Sequence, residues 1–143
     1  QQIASAVDII IHLSRLRDKS RKTVEITEVL GLEDGRIKLN PLYVFEEDGA
    51  LCGYYSLLLQ GNGECELNNL AVLPEYRHKG IGRQLLVHSF NIAKELGCRI
   101  INIAIVEENR VLRKWYELNG AIHIGTKKYD FFPFTCGYMK KEL

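Results

Sequence analysis

Residues 74–86 read PEYRHKGIGRQLL, with Gly80 and Gly82 one residue apart among Arg77, His78, Lys79 and Arg83. A proline-stopped apolar run precedes the stretch and helical periodicity follows it. The first turn of a helix has backbone N–H groups with no internal partner, and its dipole favours an anion. Glycines let a phosphate approach that backbone without meeting a Cβ. The four basic residues add positive charge, so the stretch reads as a pyrophosphate cradle. As sequence alone it also fits a plain turn ahead of a solvated basic helix start. A Walker loop would need Gly-Lys-Ser/Thr where Gly82-Arg83-Gln84 stands, and a dinucleotide fingerprint would need a third glycine where Leu85 stands.

Working outward, CELNNLAVL (65–73) predicts a strand stopped by Pro74. Residues 82–96 place apolar side chains at 85, 86, 90, 93 and 96, which predicts a long amphipathic helix closed by Gly97. RIINIAIV (99–106) predicts a strand buried on both faces. Residues 109–119 predict a second helix closed by Gly120, and two further strands flank Pro133. On the N-terminal side, GNGE (61–64) is a turn, and LCGYYSLLLQ forms a hairpin with Val44 and Phe45 through Asp48-Gly49. IKLNPLYVFEE (37–47) reads as two short strands broken at Pro41. EDGR is an Asp-Gly turn, and residues 24–30 alternate as a strand does. SAVDIIIHLSRLR (5–17) has Ser5 as a cap and apolar residues at 6, 9, 10, 13 and 16, which predicts a helix. The order strand-helix-strand-helix-strand-strand over the second half predicts an α/β fold with a mixed sheet, in a single domain over 1–143.

The 143 residues are enough for one domain with a real core, and 46% apolar with 26% charged residues is a globular balance. Nineteen Lys and Arg against eighteen Asp and Glu leave a net charge of +1, which argues against a chain that coats nucleic acid. No uncharged apolar run approaches the roughly 18 residues of a membrane span, and the first residues do not read as a signal peptide. Cys52, Cys65, Cys98 and Cys136 are scattered, with neither zinc-ligand spacing nor a disulfide framework. They read as free thiols packed as small apolar residues in a reducing cytoplasm.

The stretch LNNLAVLPEYRHKGIGRQLLVHSFNIAKELGC resembles the central signature of the GNAT superfamily, the Gcn5-related N-acetyltransferases. Its Arg/Gln-x-x-Gly-x-Gly/Ala pattern is filled by Arg77, Gly80 and Gly82, after a Leu-Ala-Val strand and a proline. A second signature is matched by Asn109, Trp115-Tyr116 and Gly120. The resemblance covers about residues 43–143, with an acetyl-CoA-binding core over 47–143. It implies a sheet splayed at the acetyl-CoA site and an N-acetyltransferase acting on a small-molecule or peptide amine, with no metal, no nucleic-acid or membrane partner, and a monomer or homodimer. The pyrophosphate would lie on Arg77, His78, Lys79, Gly80, Ile81, Gly82 and Arg83, and the pantetheine on the backbone of Leu70, Ala71 and Val72.

An alkyl ammonium titrates near ~10, so the acceptor must lose a proton before it attacks the thioester. The resemblance makes Tyr116 the general acid for the leaving sulfur. Glu66 is the candidate base and Glu64, two residues away on the same strand face, the alternative. Tyr116 also reads as a core aromatic, and either glutamate as a solvated strand carboxylate. Asn109 reads equally as a pantetheine contact or as a helix N-cap. His78, His88 and His123 carry no assignable partner and read as surface residues.

Residues 2–46 fit the family's usual start poorly. They resemble the C-terminal part of the ATPases of type II and type IV secretion and pilus assembly, including an Arg-Leu-Arg-Asp run at 15–18. That resemblance implies a hybrid chain joined near 45–49. It leaves two rival functions open: a coenzyme A-binding or scaffold domain without turnover, and an interaction module derived from a secretion ATPase.

Overall fold

The structure, a computed structural model, describes residues 9–15, 21–33, 36–47 and 50–143. The chain divides into two compact units, Gln1–Leu57 with Asn69–Leu86, and Leu58–Asn68 with Val87–Leu143.

The first unit holds an antiparallel meander of β1 (Ile9–Arg15), β2 (Arg21–Glu33), β3 (Arg36–Glu47) and the first part of β4 (Ala50–Gly61). Residues 9–15 are a strand, where apolar spacing predicts a helix. The run Ile9-Ile10-Ile11 is β-branched and stiff at χ1, which favours a ladder, and β2 supplies the partner. Ser5, the expected cap, lies outside the described residues. Pro41 does not break β3. It lies opposite Thr27 on the β2 side, while pairing to β4 begins only at Leu42, opposite Ser56. Glu33 stands opposite Arg36 and Glu47 opposite Ala50, and the two Asp-Gly turns expected between them lie outside the described residues.

Cys52, Tyr55, Ser56, Ile81, Leu85 and Leu86 are buried in this unit. The Tyr55 ring stacks on Tyr43 at 4.9 Å, and burial raises its hydroxyl pKa. Gly53 is there for steric reasons, since a Cβ would stand 2.6 Å from the Ala71 carbonyl oxygen and 2.9 Å from Leu85 Cδ1. One step along, the Leu73 N–H donates to the Cys52 carbonyl at 2.9 Å.

The second unit runs from the end of β4 through an Asn62-Gly63 turn, both residues at positive φ, into β5 (Glu64–Val72). A Pro74–Tyr76 3₁₀ turn and α1 (Ile81–Glu95) follow in the chain. The unit is completed by β6 (Ile100–Val106), α2 (Arg110–Leu118), β7 (Ile122–Lys128) and β8 (Thr135–Glu142). Its strand order is β5-β6-β8-β7, with β5 and β6 parallel and the other pairs antiparallel. This is the mixed α/β architecture that the element order predicts. Gly97, at φ +82, ends α1: its N–H donates to Lys94 and that of Cys98 to Ala93.

Two details of β5 and β6 shape the surface they present. Among the described residues their pairing runs only from Glu64 opposite Ile100 to Leu67 opposite Ile103, although the strands continue to Val72 and Val106. Asn69, just beyond the last pair, sits at φ +56. That left-handed conformation is one asparagine tolerates, and it kinks the strand. Also, β6 is not buried on both faces: Ile101, Ile103 and Ile105 are buried, whereas Ala104 and Val106 are exposed and Asn102 is half-buried. The polar Asn102 at the centre of the run marks the solvent-facing side.

Gly53→Ala is expected to destabilise the fold by about 1–3 kcal/mol, because a backbone oxygen cannot move aside as a flexible side chain can. Urea denaturation checks this: the midpoint should fall with the slope unchanged.

Candidate active site

In the first unit, residues 77–83 leave the 3₁₀ turn and enter α1. His78 and Gly80 take positive φ, +62 and +84, a backbone habit of anion-binding concavities. Open space stands where a Cβ of Gly80 would be. The Gly80 carbonyl accepts the Gln84 N–H at 3.1 Å, so Ile81, Gly82 and Arg83 are the first residues of the helix, whose N–H groups have no intrahelical partner. Ile81 is buried and anchors the turn, while Arg77, His78, Lys79 and Arg83 are exposed. Arg77 Nε donates to the Val72 carbonyl at 3.0 Å, and Lys79 Nζ lies 5.1 Å from the Tyr76 ring centroid. An open, basic backbone with unengaged N–H groups and no first-turn carboxylate fits a phosphate group. Leu70, Ala71 and Val72 form the end of β5 in this same unit and are half-buried.

In the second unit, Glu64 and Glu66 lie on one face of β5, as period-two alternation predicts. They are linked by two amides, Gln60 and Asn102, that the sequence alone does not single out. Asn102 Nδ2 donates to Glu64 Oε2 at 2.8 Å and to Gln60 Oε1 at 2.9 Å, and Gln60 Nε2 donates to Glu66 Oε2 at 2.9 Å. Gln60, Glu66 and Asn102 line a cavity of about 210 Å³ with Ile103, Ala104, Ile124, Tyr138 and Met139. The Tyr138 hydroxyl lies 2.8 Å from that of Tyr129, and this bond, reinforced by desolvation, pushes it up to about 12. The signal for Asn102 was its position as the polar residue inside an apolar strand. Gln60 carried no signal beyond ending a strand.

Tyr116 is the buried side chain of α2, edge-on to Trp115 at 4.9 Å. Burial pushes its hydroxyl up to about 12, so it is a protonated donor at neutral pH. Asn109 caps this helix by accepting the Leu112 N–H at 3.0 Å. His123 is not a surface residue without a partner: its Nε2 lies 2.8 Å from Glu107 Oε2. Glu107 Oε1 accepts from Arg113 Nη1 at 2.6 Å, and Arg113 Nε donates to Glu117 at 3.1 Å. The hydrogen bond from His123, with help from Arg113, holds the Glu107 carboxyl below the ordinary carboxylate range. Gly137 makes room for this group, since a Cβ there would collide with Glu107. The network ties α2, and Tyr116 with it, to β6 and β7. A larger depression of about 660 Å³ follows α2, lined by Glu107, Glu108, Arg110, Arg113, Lys114 and Glu117. Its ionic groups largely engage one another.

The four cysteines are free and buried. Cys65 and Cys98 meet in space, and burial with the Cys98 contact pushes the Cys65 thiol up to about 12, which makes it a poor nucleophile. Among the described residues no cluster of three or more His, Cys, Asp or Glu side chains suits a metal ion, and no helix is long and apolar enough to cross a membrane.

A profile described as the Acetyltransferase (GNAT) family matches residues 13–121. The match begins well before residue 43, so the family's own pattern extends back through most of the segment taken above for a secretion-ATPase piece. Nothing in this match or in the relatives and structures below supports a secretion-ATPase segment or a hybrid chain. A spermidine N(1)-acetyltransferase of Thermoplasma acidophilum is 33% identical over 84 residues, 59% of this chain and 52% of that protein. A Bacillus subtilis protein provisionally named as a ribosomal protein bS18-alanine N-acetyltransferase is 27% identical over 85 residues, 59% of this chain and 56% of that one. The chain therefore spans about half the length of these curated relatives. Among solved structures, a GNAT family acetyltransferase from Elizabethkingia anophelis with acetyl-CoA bound shares the fold. It gives a TM-score of 0.69 at 19% identity over 96% of this chain and 99% of that one, so the likeness of fold runs through the N-terminal strands.

Because folding holds the Glu107 carboxyl below its ordinary value of 4.5, its contribution to stability is complete above that value and is lost as pH falls through the lower folded value. Melting temperatures at pH 6 and pH 3 check this. The drop should be larger in the wild-type protein than in Glu107→Gln; equal drops would deny Glu107 the role.

Proposed function

The chain belongs to the acetyltransferase (GNAT) family, and from that premise we propose that it transfers an acetyl group from acetyl-coenzyme A to a primary amine. The observation that carries the reading is the open backbone of residues 77–83, with its positive-φ turn and unengaged helix N–H groups. When bound, acetyl-coenzyme A supplies the acetyl thioester. Gly80, Ile81, Gly82 and Arg83 hold the pyrophosphate through backbone N–H groups, and the Arg77, His78, Lys79 and Arg83 side chains add positive charge. The backbone of Leu70, Ala71 and Val72 orients the pantetheine, and Asn109 orders the start of α2.

Glu66 takes the proton of the acceptor ammonium, with Glu64 as its neighbour and alternative. The neutral amine then attacks the acetyl carbonyl, the carbon–sulfur bond breaks as Tyr116 gives its hydroxyl proton to the departing sulfur, and the second proton shed by the new amide nitrogen restores the Tyr116 hydroxyl. The pKa of about 12 keeps that proton in place until a thiolate needs it. The names of the relatives include a polyamine and a protein alanine, so the acceptor class is a small-molecule or peptide amine. We assign the work to the cytoplasm, where acetyl-coenzyme A and free thiols both fit.

Thiol release from acetyl-coenzyme A, measured against spermidine and an alanine-initiated peptide, tests the reading. Glu66→Gln and Tyr116→Phe should each lower kcat about 10²-fold while coenzyme A still raises the melting temperature. Coenzyme A protection without turnover would leave a cofactor-binding domain instead. Gly82→Asp tests the cradle separately. A carboxylate in the first turn suits the helix dipole and repels phosphate, so coenzyme A protection should disappear from a chain that still folds.

A further inference from the structure

The carboxylates Glu64 and Glu66 are not loose on the strand face. They are the two ends of a hydrogen-bonded array drawn from β4, β5 and β6, in the order Glu64, Asn102, Gln60, Glu66. Its polarity follows from elementary donor counting. A carboxylate at each end accepts, so each amide must turn its nitrogen toward its carboxylate. The remaining contact, between the two amides, runs from Asn102 N–H to the Gln60 carbonyl at 2.9 Å. Asn102 spends both N–H bonds on the array, and Gln60 spends one N–H and its carbonyl. No alternative amide orientation satisfies both ends. The array occupies one oxygen of each carboxylate, and Glu66, Gln60 and Asn102 together line the 210 Å³ cavity.

From this geometry we propose that Gln60 and Asn102 are positioning residues for the base. Gln60 fixes the Glu66 carboxylate against the cavity wall, and Asn102 fixes both Gln60 and Glu64. The proposal rests on the transferase reading. The backbone places Asn102 opposite Glu66 in the parallel β5–β6 ladder, so its side chain stands over the same face. Asn102 nevertheless bypasses Glu66 and reaches Glu64 and Gln60, and the direct partner of Glu66 is Gln60. A glutamate with several rotatable bonds on an open strand face would otherwise sample many positions, and proton abstraction depends on a narrow one.

The role has a signature that packing does not share. Gln60→Ala should lower kcat at least 10-fold and leave KM for acetyl-coenzyme A within twofold. Gln60→Glu and Asn102→Asp keep shape but cannot donate, and should lose as much as the alanine variants; near-wild-type rates in both would overturn the proposal. In a Glu66→Gln background Gln60→Ala should cost nothing further, because the residue acts through Glu66. Full additivity would overturn the role while leaving the reaction standing. Independently of turnover, the side-chain NH₂ signals of Gln60 and Asn102 in nitrogen-correlated NMR should move in Glu66→Ala and Glu64→Ala respectively. Signals that stay put would show that the array does not form in solution and would overturn the proposal. Wild-type protein that turns over neither acceptor would count against the transferase reading, and against this role with it.

Discussion

A strand that gives up a neighbour must settle its backbone hydrogen bonds elsewhere, and β5 lives under that constraint. It pairs in parallel with β6 from Glu64 to Leu67, and among the described residues no pair continues beyond Ile103. Asn69 turns left-handed at that point. A backbone polar group buried without a partner costs about as much as a lost hydrogen bond, so each group past the kink needs an answer. Two answers are local: Arg77 Nε meets the Val72 carbonyl, and the Cys52 carbonyl meets the Leu73 N–H. Gly53 permits the second by giving the Ala71 carbonyl room. In the proposed function the pantetheine answers others, so the kink that ends the pairing also makes the binding edge.

The same strand divides its labour along its length. Before the kink its side chains carry Glu64 and Glu66, tied by Asn102 and Gln60. After it the backbone leads through a proline-started 3₁₀ turn into the glycine loop and α1. Tyr116 is held by different means: a buried helix position, an asparagine cap, and a charged network through Glu107 that pins α2 to β6 and β7. Glu66 and Tyr116, the proposed proton acceptor and donor, thus sit on separate supports.

Much of this was legible in the residues. The glycine loop announced itself through Gly80, Gly82 and their basic neighbours, and Gly97 and Gly120 marked helix ends. The failures have physical causes. Residues 9–15 have apolar spacing compatible with a helix, but three consecutive β-branched isoleucines and an available partner strand decide for β. Pro41 reads as a break, yet β3 runs through it opposite Thr27 of β2. Asn69 carries the kink, yet asparagine inside an apolar strand looks like an ordinary polar position. Asn102 is 38 residues from Glu64, Gln60 faces Glu66 across a turn, and His123 is 16 residues from Glu107; such partners exist only once the strands are in register. In the N-terminal segment the short charged run at 15–18 stands out, whereas the family match that begins at residue 13 carries no comparable short motif there.

The backbone between the β5 kink and the start of α1 is the proposed cofactor cradle. Backbone amide NMR during titration with coenzyme A addresses it most directly, because it reads N–H groups without requiring an acceptor. The largest shifts should fall on residues 80–83 and 70–72, saturating together at one ligand per chain. Shifts confined to the charged face of α2, or none at saturating coenzyme A, would contradict it.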